Sequence, residues 1–258
     1  MVKACLFVAI CGICGLNPPP LHAQLPTGPE TLKYAVEWRL VPAGTARLSF
    51  APLAKTGNSP SQPVSEVRFH LESVGLVSRL FRVEDDYTAM LGQNLCAQSE
   101  LLTAREGNRN KETRVLFDPQ ARRATWTERD LAKNSTSVKD VEIPACVHDL
   151  IGGLMLLRTL RLEPGKTAQI PLSDGKKFVQ ARVEAQERED LKTELGVLKT
   201  IKYELFLFNN VLYKRPGHLH IWLTDDEKRT PVQLQARMQF TIGTITFRIQ
   251  KPAETPQP

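Results

Sequence analysis

From about residue 30 onward the chain alternates apolar and polar side chains with a period of two, and nothing else in it limits the fold as much. In "LKYAVEWRL", Leu32, Tyr34, Val36, Trp38 and Leu40 share one face and Lys33, Glu37 and Arg39 the other. "EVRFHLES" sets Val67, Phe69 and Leu71 against Glu66, Arg68, His70 and Glu72. "QLQARMQF" and "TITFRI" repeat the pattern near the end. Successive side chains of a strand point to opposite sides, so segments like these bury one face and wet the other, as antiparallel sheets do. Turn signals at Asp118, at Asp174-Gly175 and at Pro216-Gly217 separate them. The pattern predicts about a dozen strands in one β-rich domain over residues 32–250.

Two stretches break the alternation. "SVGLVSRLFRV" (73–83) predicts a short helix with Leu76, Leu80 and Phe81 on one side. Residues 147–162 predict a longer one, with Asp149 at its start, where a carboxylate can cap the first turn. It carries two apolar stripes, one through Ile151 and Met155 and one through Leu156 and Leu160. A helix apolar nearly all round must be buried. Gly152-Gly153 inside it costs about 1 kcal/mol per glycine relative to alanine, which close packing would offset. The expected architecture is mostly β: a curved antiparallel sheet, or incomplete β-barrel, wrapped over one buried helix.

The N-terminus reads "MVKACLFVAICGICGLNPPPLHAQ". One lysine, a short uncharged apolar run, a proline breaker and a small residue at Ala23 make a secretory signal peptide over residues 1–23. The run is too short for a membrane-spanning helix of about 20 residues. Cys11 and Cys14 are the alternative, as lipidation sites, but isoleucine stands before each where a small residue is wanted. Residues 24–31 and the tail 251–258 read as disordered. Export places the chain in the periplasm or cell envelope, which is oxidising. Two cysteines remain there, Cys96 and Cys146, and a bridge between them is expected, with two buried free thiols as the alternative.

The formal charge of +6 is spread over 34 basic and 28 acidic residues, so no basic face for nucleic acid stands out. The densest stretch, "REGNRNKETR" (105–114), reads as a solvated hairpin. His218 and His220 share a strand face at a spacing that can hold zinc, but no third ligand lies near them in sequence, so no metal is expected. "HIWLTDDEKRTPVQL" (220–234) holds adjacent carboxylates, yet Asp225 and Asp226 sit between two strands, where aspartate caps backbone amides. Asp225, Asp226, Arg229 and Pro231 are therefore a structural turn. No phosphate loop, nucleophile elbow, dinucleotide fingerprint or zinc-protease motif occurs, so no catalytic residue and no cofactor is implied.

Several landmarks occur together: "LKYAVEW", "VEDDYTAML", "HDLIGGLMLLRTL" with Asp149 and Arg158, and the run Trp222, Asp226, Arg229, Pro231 followed by Gly243. In this the chain resembles the bacterial exported family called domain of unknown function 3108, over residues 32–250. The resemblance implies an exported β-rich protein and brings no catalytic residue with it. It also implies an architecture like that of the periplasmic lipoprotein carriers. The leading expectation is a non-enzymatic binder of a lipid, lipoprotein or other apolar ligand. Leu156, Leu160, Phe206, Phe208 and Trp222 are the cavity candidates, with the Ile151 stripe holding the helix to the sheet. A helix that is plain core is the competing account. An envelope scaffold that binds protein or polysaccharide at a sheet edge is the second function, and a hydrolase without a local signature the third.

Overall fold

The computed structural model describes residues 26–54, 64–238 and 243–252. The expected leader lies outside these residues, as does the tail beyond Pro252. Among these residues fourteen strands form a single antiparallel sheet, slightly more than the alternation suggested. The first half is a meander: β1 (Glu30–Trp38), β2 (Val41–Pro52), β3 (Ser65–Ser73), β4 (Val83–Leu91), β5 (Ala97–Glu106), β6 (Arg109–Asp118), β7 (Arg123–Asp130) and β8 (Ser135–Glu142). The second half is another: β9 (Thr167–Ser173), β10 (Phe178–Thr193), β11 (Gly196–Leu205), β12 (Gly217–Thr224), β13 (Pro231–Met238) and β14 (Thr244–Ile249). The two join where β1 pairs β14, from Tyr34 opposite Ile249 to Trp38 opposite Ile245. β1 thus begins inside the segment expected to be disordered.

The sheet curls strongly. Phe69 of β3 and Phe247 of β14 have ring centroids 6.2 Å apart, although β2 and β1 lie between their strands. Three strand spacings in a flat sheet would separate the backbones by about 14 Å, so the rings meet across a concave face. That face buries Tyr34, Leu48, Val67, Ala89, Val183 and Ile221. Closure is incomplete: the edge strands β8 and β9 share no ladder. Side chains cross the seam instead. Lys139 of β8 donates to the Lys176 carbonyl at 2.8 Å, and the Lys176 ammonium stands 3.9 Å from the centre of the Trp126 ring. Gly175 (φ +78°) passes so near Val115 that a Cβ would lie 2.4 Å from Cγ2, which explains the glycine there.

Both α-helices expected from the sequence are present among the described residues. α1 (Gly75–Leu80) has no buried residue and sits at the rim. α2 (Leu150–Thr159) lies in the segment that crosses from the β8 edge to the β9 edge. It is shorter than the expected 147–162 for local reasons. His148 forms a parallel bridge with Leu172, so the chain is extended before the helix. Asp149 is the N-cap and accepts the Gly152 amide at 3.1 Å. Leu160 ends the helix with ψ 119°. The glycines pack as expected: a Cβ on Gly153 would stand 2.5 Å from Leu172 Cδ2, and one on Gly152 2.4 Å from Asp149 Oδ1.

Leu40 departs from the alternation. Its register put it on the buried face, but it occupies the tip of the β1–β2 hairpin and is 83% exposed. Arg39 and Leu40 take φ +50° and +70°, the left-handed pair that a two-residue hairpin needs and that Asn-Gly usually supplies.

The Asp225–Pro231 stretch is a turn. Asp226 Oδ1 accepts the Lys228 and Arg229 amides, both at 3.0 Å, and the Thr224 hydroxyl at 2.7 Å. Asp225 accepts Arg188 at 2.8 Å. The Pro231 carbonyl accepts the buried Tyr34 hydroxyl at 2.8 Å. Arg158, almost fully buried at the end of α2, donates to the Lys228 and Arg229 carbonyls and pairs with both oxygens of Glu30, at 2.5 and 3.0 Å. The turn therefore anchors α2 and the start of β1.

Cys96 and Cys146 form a disulfide, with a Cα–Cα distance of 5.1 Å. It ties the β4–β5 connection to the crossing segment over a sequence separation of 50. A loop of that length is worth about 4 kcal/mol in the chain-entropy account. Urea unfolding of the oxidised protein should therefore show a clearly higher midpoint than unfolding in reductant or of Cys96→Ser/Cys146→Ser. Coincident curves would mean the bridge contributes nothing.

Candidate functional site

Titratable groups converge at the start of α2. Tyr87 of β4 points into the concave face, and its hydroxyl makes a very short hydrogen bond to Asp149 Oδ2. The same hydroxyl stands 3.0 Å from Glu100 Oε2 on β5. A hydroxyl carries one proton, so as a donor it satisfies one carboxylate. The second carboxyl group meets it favourably only when protonated. Burial, with Asp149 nearby, pushes Glu100 up to about 8, which makes Glu100 the protonated partner. Burial also raises Asp149 above the usual carboxylate range, against the lowering effect of its bonds from Tyr87 and Gly152. His148 donates from Nδ1 to the Leu95 carbonyl at 2.8 Å, and burial lowers its pKa.

A cluster of His, Asp and Glu with displaced pKa values is what a signature-free hydrolase would show. Access argues against that use here. Asp149 is wholly buried and Glu100 nearly so. Both Asp149 oxygens are engaged, one in capping the helix. None of these residues borders the cavities described below. The cluster instead fixes the entry of α2 onto the sheet. Among the described residues, no three of His, Cys, Asp or Glu are placed to hold a metal ion.

The five expected cavity residues are not brought together. Trp222 pairs with Lys202 and Gln233 on the face of the sheet opposite Ile221 and Leu223. Its indole donates to Glu189, and the Lys202 ammonium lies 5.7 Å from its ring centre. Phe206 lies beneath the Arg182 guanidinium at 4.0 Å. Phe208 packs on Tyr213, with centroids 5.6 Å apart. Leu160 caps α2, half-buried against the core. Leu156 borders a groove of about 560 Å³ shared with Phe50, Leu95 and Thr159. Ile151 is only half-buried, and Leu154, Met155 and Leu157 carry most of the packing of α2.

A different space is more apolar. Between α1 and the concave face at the opposite end of the sheet lies a cavity of about 490 Å³. Val36, Leu71, Val77, Phe81, Ile245 and Phe247 line it, with Glu72 the one charged residue in its wall. Ala43, Gly44 and Ala236 leave the room. Gly44 has a second constraint, since a Cβ there would stand 2.3 Å from the Glu72 carbonyl oxygen. A groove of about 700 Å³ beside the disulfide is more polar, with Gln93, Asp118 and Gln120 in its wall. The apolar cavity was hidden from the sequence because its walls come from alternate positions of strands far apart in the chain. The signal that could have pointed to it is the pairing of Ala43-Gly44 with an apolar helix at 75–80.

The sequence profile of the DUF3108 family, described as a protein of unknown function, matches residues 33–250. The chain belongs to the DUF3108 family. No curated protein matches it. Among solved structures it is similar to a β-barrel-like protein of the domain of unknown function DUF1849 from Brucella abortus. That match has a TM-score of 0.51 over 87% of this chain and 96% of that chain. At 10% identity it shows the fold alone, an open barrel-like sheet. Among the described residues no helix is long and apolar enough to cross a membrane.

The Glu100 carboxyl yields a pH prediction with a fixed sign. Its native pKa of about 8 lies above the ordinary 4.5, so between these values the native state holds a proton that the unfolded state has lost. The stabilisation is complete below about 4.5 and disappears as pH rises through about 8. In urea titrations across that window, wild type should lose stability relative to Glu100→Gln as pH increases. A wild-type minus variant difference that stays flat would show that Glu100 is ionised in the fold.

Proposed function

We infer that this DUF3108 chain is an exported, non-enzymatic binder of an apolar ligand, and that the ligand occupies the cavity beneath α1. The observation that carries this is the cavity itself, about 490 Å³ and walled almost entirely by apolar side chains. Small-ligand sites are typically about 300–1,000 Å³ and mostly apolar with few polar groups. A lipid acyl chain, or the lipid part of a lipoprotein, matches that chemistry. On this reading the ligand sits at α1 rather than on the Leu156 side of α2. Export is supported by the layout of residues 1–23 and fits the disulfide, which persists in oxidising compartments. The scaffold reading has one observation in its favour: β8 is almost wholly exposed along an edge that pairs with no further strand among the described residues. Lys139 in that edge weakens it as a template for strand addition.

Two measurements test this reading. N-terminal sequencing of protein recovered from the periplasm should begin at Gln24. Protein retained in the cytoplasm and starting at Met1 would remove export. For the ligand, the probe is a fluorescent long-chain fatty acid titrated into wild type and Ala236→Trp. The bulky ring should project from β13 into the cavity beneath α1 and lower probe affinity by tenfold or more, on the order of one lost aliphatic contact set. Its thermal melt should stay cooperative. Probe binding equal in both proteins would move the ligand elsewhere. No probe binding by wild type would leave the scaffold in front.

A further inference from the structure

We propose that the α1 end of the sheet is a docking surface for an anionic lipid bilayer, entered by Leu40, Leu76, Leu80 and Phe81. Exposed apolar side chains gather there. Trp38, Leu40 and Val41 in the β1–β2 hairpin, and Leu76, Leu80 and Phe81 in and after α1, are 36–83% exposed. The two segments adjoin: the Val74 amide donates to the Ala43 carbonyl at 2.9 Å, and Trp38, Val77 and Phe81 wall one cavity. A contiguous apolar patch of this kind on a soluble domain marks an interaction surface.

The backbone supports a role beyond stability. A bulky residue in the left-handed region is uncommon and costs free energy, and such residues cluster at functional sites. Leu40 is held there at φ +70° with its side chain in water. Asparagine or glycine would suit the turn better and expose no apolar surface. α1 has the same character: six residues, none buried, presenting leucines outward. So short a helix has little stability of its own.

The charges indicate which partner fits. Arg39, Arg79 and Arg82 are interleaved with the apolar residues, and the Arg39 guanidinium lies 5.3 Å from the Trp38 ring centre. The acids nearby are Glu72, in the cavity wall, Glu84, which pairs with Arg82 at 2.7 Å and Arg105 at 3.2 Å, and Glu106, opposite Val83 and paired with Arg109 at 2.7 Å. Leucine, tryptophan and arginine at one rim are the set that seats a protein in a bilayer interface, with the apolar groups at the acyl boundary and the cations among anionic headgroups. Trp38 and Phe81 belong both to this rim and to the cavity wall, so docking would open the cavity toward the lipid. The docking surface does not depend on what the cavity holds, because vesicle binding is measured without added ligand.

The test is co-sedimentation of the full chain with vesicles of phosphatidylethanolamine and phosphatidylglycerol, in parallel with vesicles of phosphatidylcholine alone. Wild type is compared with Leu40→Asn/Leu80→Asn. Both sites are exposed, and asparagine tolerates the left-handed conformation at position 40, so the variant should fold, which circular dichroism verifies. Any contribution of the N-terminal segment is common to both proteins. Wild type should bind the anionic vesicles better than the neutral ones, and less as salt is raised. The variant should bind more weakly by on the order of tenfold per leucine withdrawn. Absence of wild-type binding, or equal binding by the variant, would overturn the proposal. So would a wild-type dimer in vesicle-free sedimentation that the same substitutions abolish, since a second copy would then cover the rim.

Discussion

The contact between Asp149, Tyr87 and Glu100 governs how this chain is put together. A fourteen-stranded sheet leaves β8 at one edge and β9 at the other, and the chain must cross between them through the interior of the curl. Apolar burial pulls α2 inward, but burial is non-directional and does not choose where along the concave face the helix begins. The Asp149 carboxylate does, because it caps α2 and meets the Tyr87 hydroxyl at one point on β4. The disulfide holds the segment just before it, and Arg158 with Glu30 holds the far end. Polar contacts thus fix the register of a helix whose energy of attachment is apolar.

Much of the fold was legible from the sequence because alternation is a local property. Each strand carries its own period of two, and aspartates mark the turns at 118, 174 and 226, where their side chains accept backbone amides. Asp149 could likewise be recognised as a cap from its place before an apolar run. The candidate site was far less legible. Tyr87 meets a carboxylate 62 positions away, and nothing near "EDDY" indicates which one. Trp222 shows a second limit. An apolar ring suggests an interior position, yet register places it among Lys202, Gln233 and Glu189, where it is buried by the stems of charged neighbours and by its own hydrogen bond. Alternation also misled at Leu40, since a turn of two residues ends the strand before the period does.

The two ends of the concave face are built differently. At the α2 end Leu154, Met155 and Leu157 fill the curl, and paired glycines let the helix approach Leu91, Leu95 and Leu172 closely. At the α1 end the small residues Ala43, Gly44 and Ala236 stand among Val36, Ile245 and Phe247 in the wall of an open space. The same sheet is therefore a packed core at one end and an open apolar space at the other, separated by the Phe69–Phe247 contact.

The pairing of β1 with β14 also sets an order of assembly. Every other ladder joins strands that follow one another in the chain, so each can zip from its own turn at small entropic cost. β1 and β14 come from opposite ends of the domain, and loop-closure entropy places their pairing late. Until the last strand arrives, β1 offers one unpaired edge from Tyr34 to Trp38, as a completed meander waiting for its mate. Such an edge is a template for another chain. The concentration of unfinished molecules, rather than the stability of finished ones, then governs whether this domain folds or aggregates.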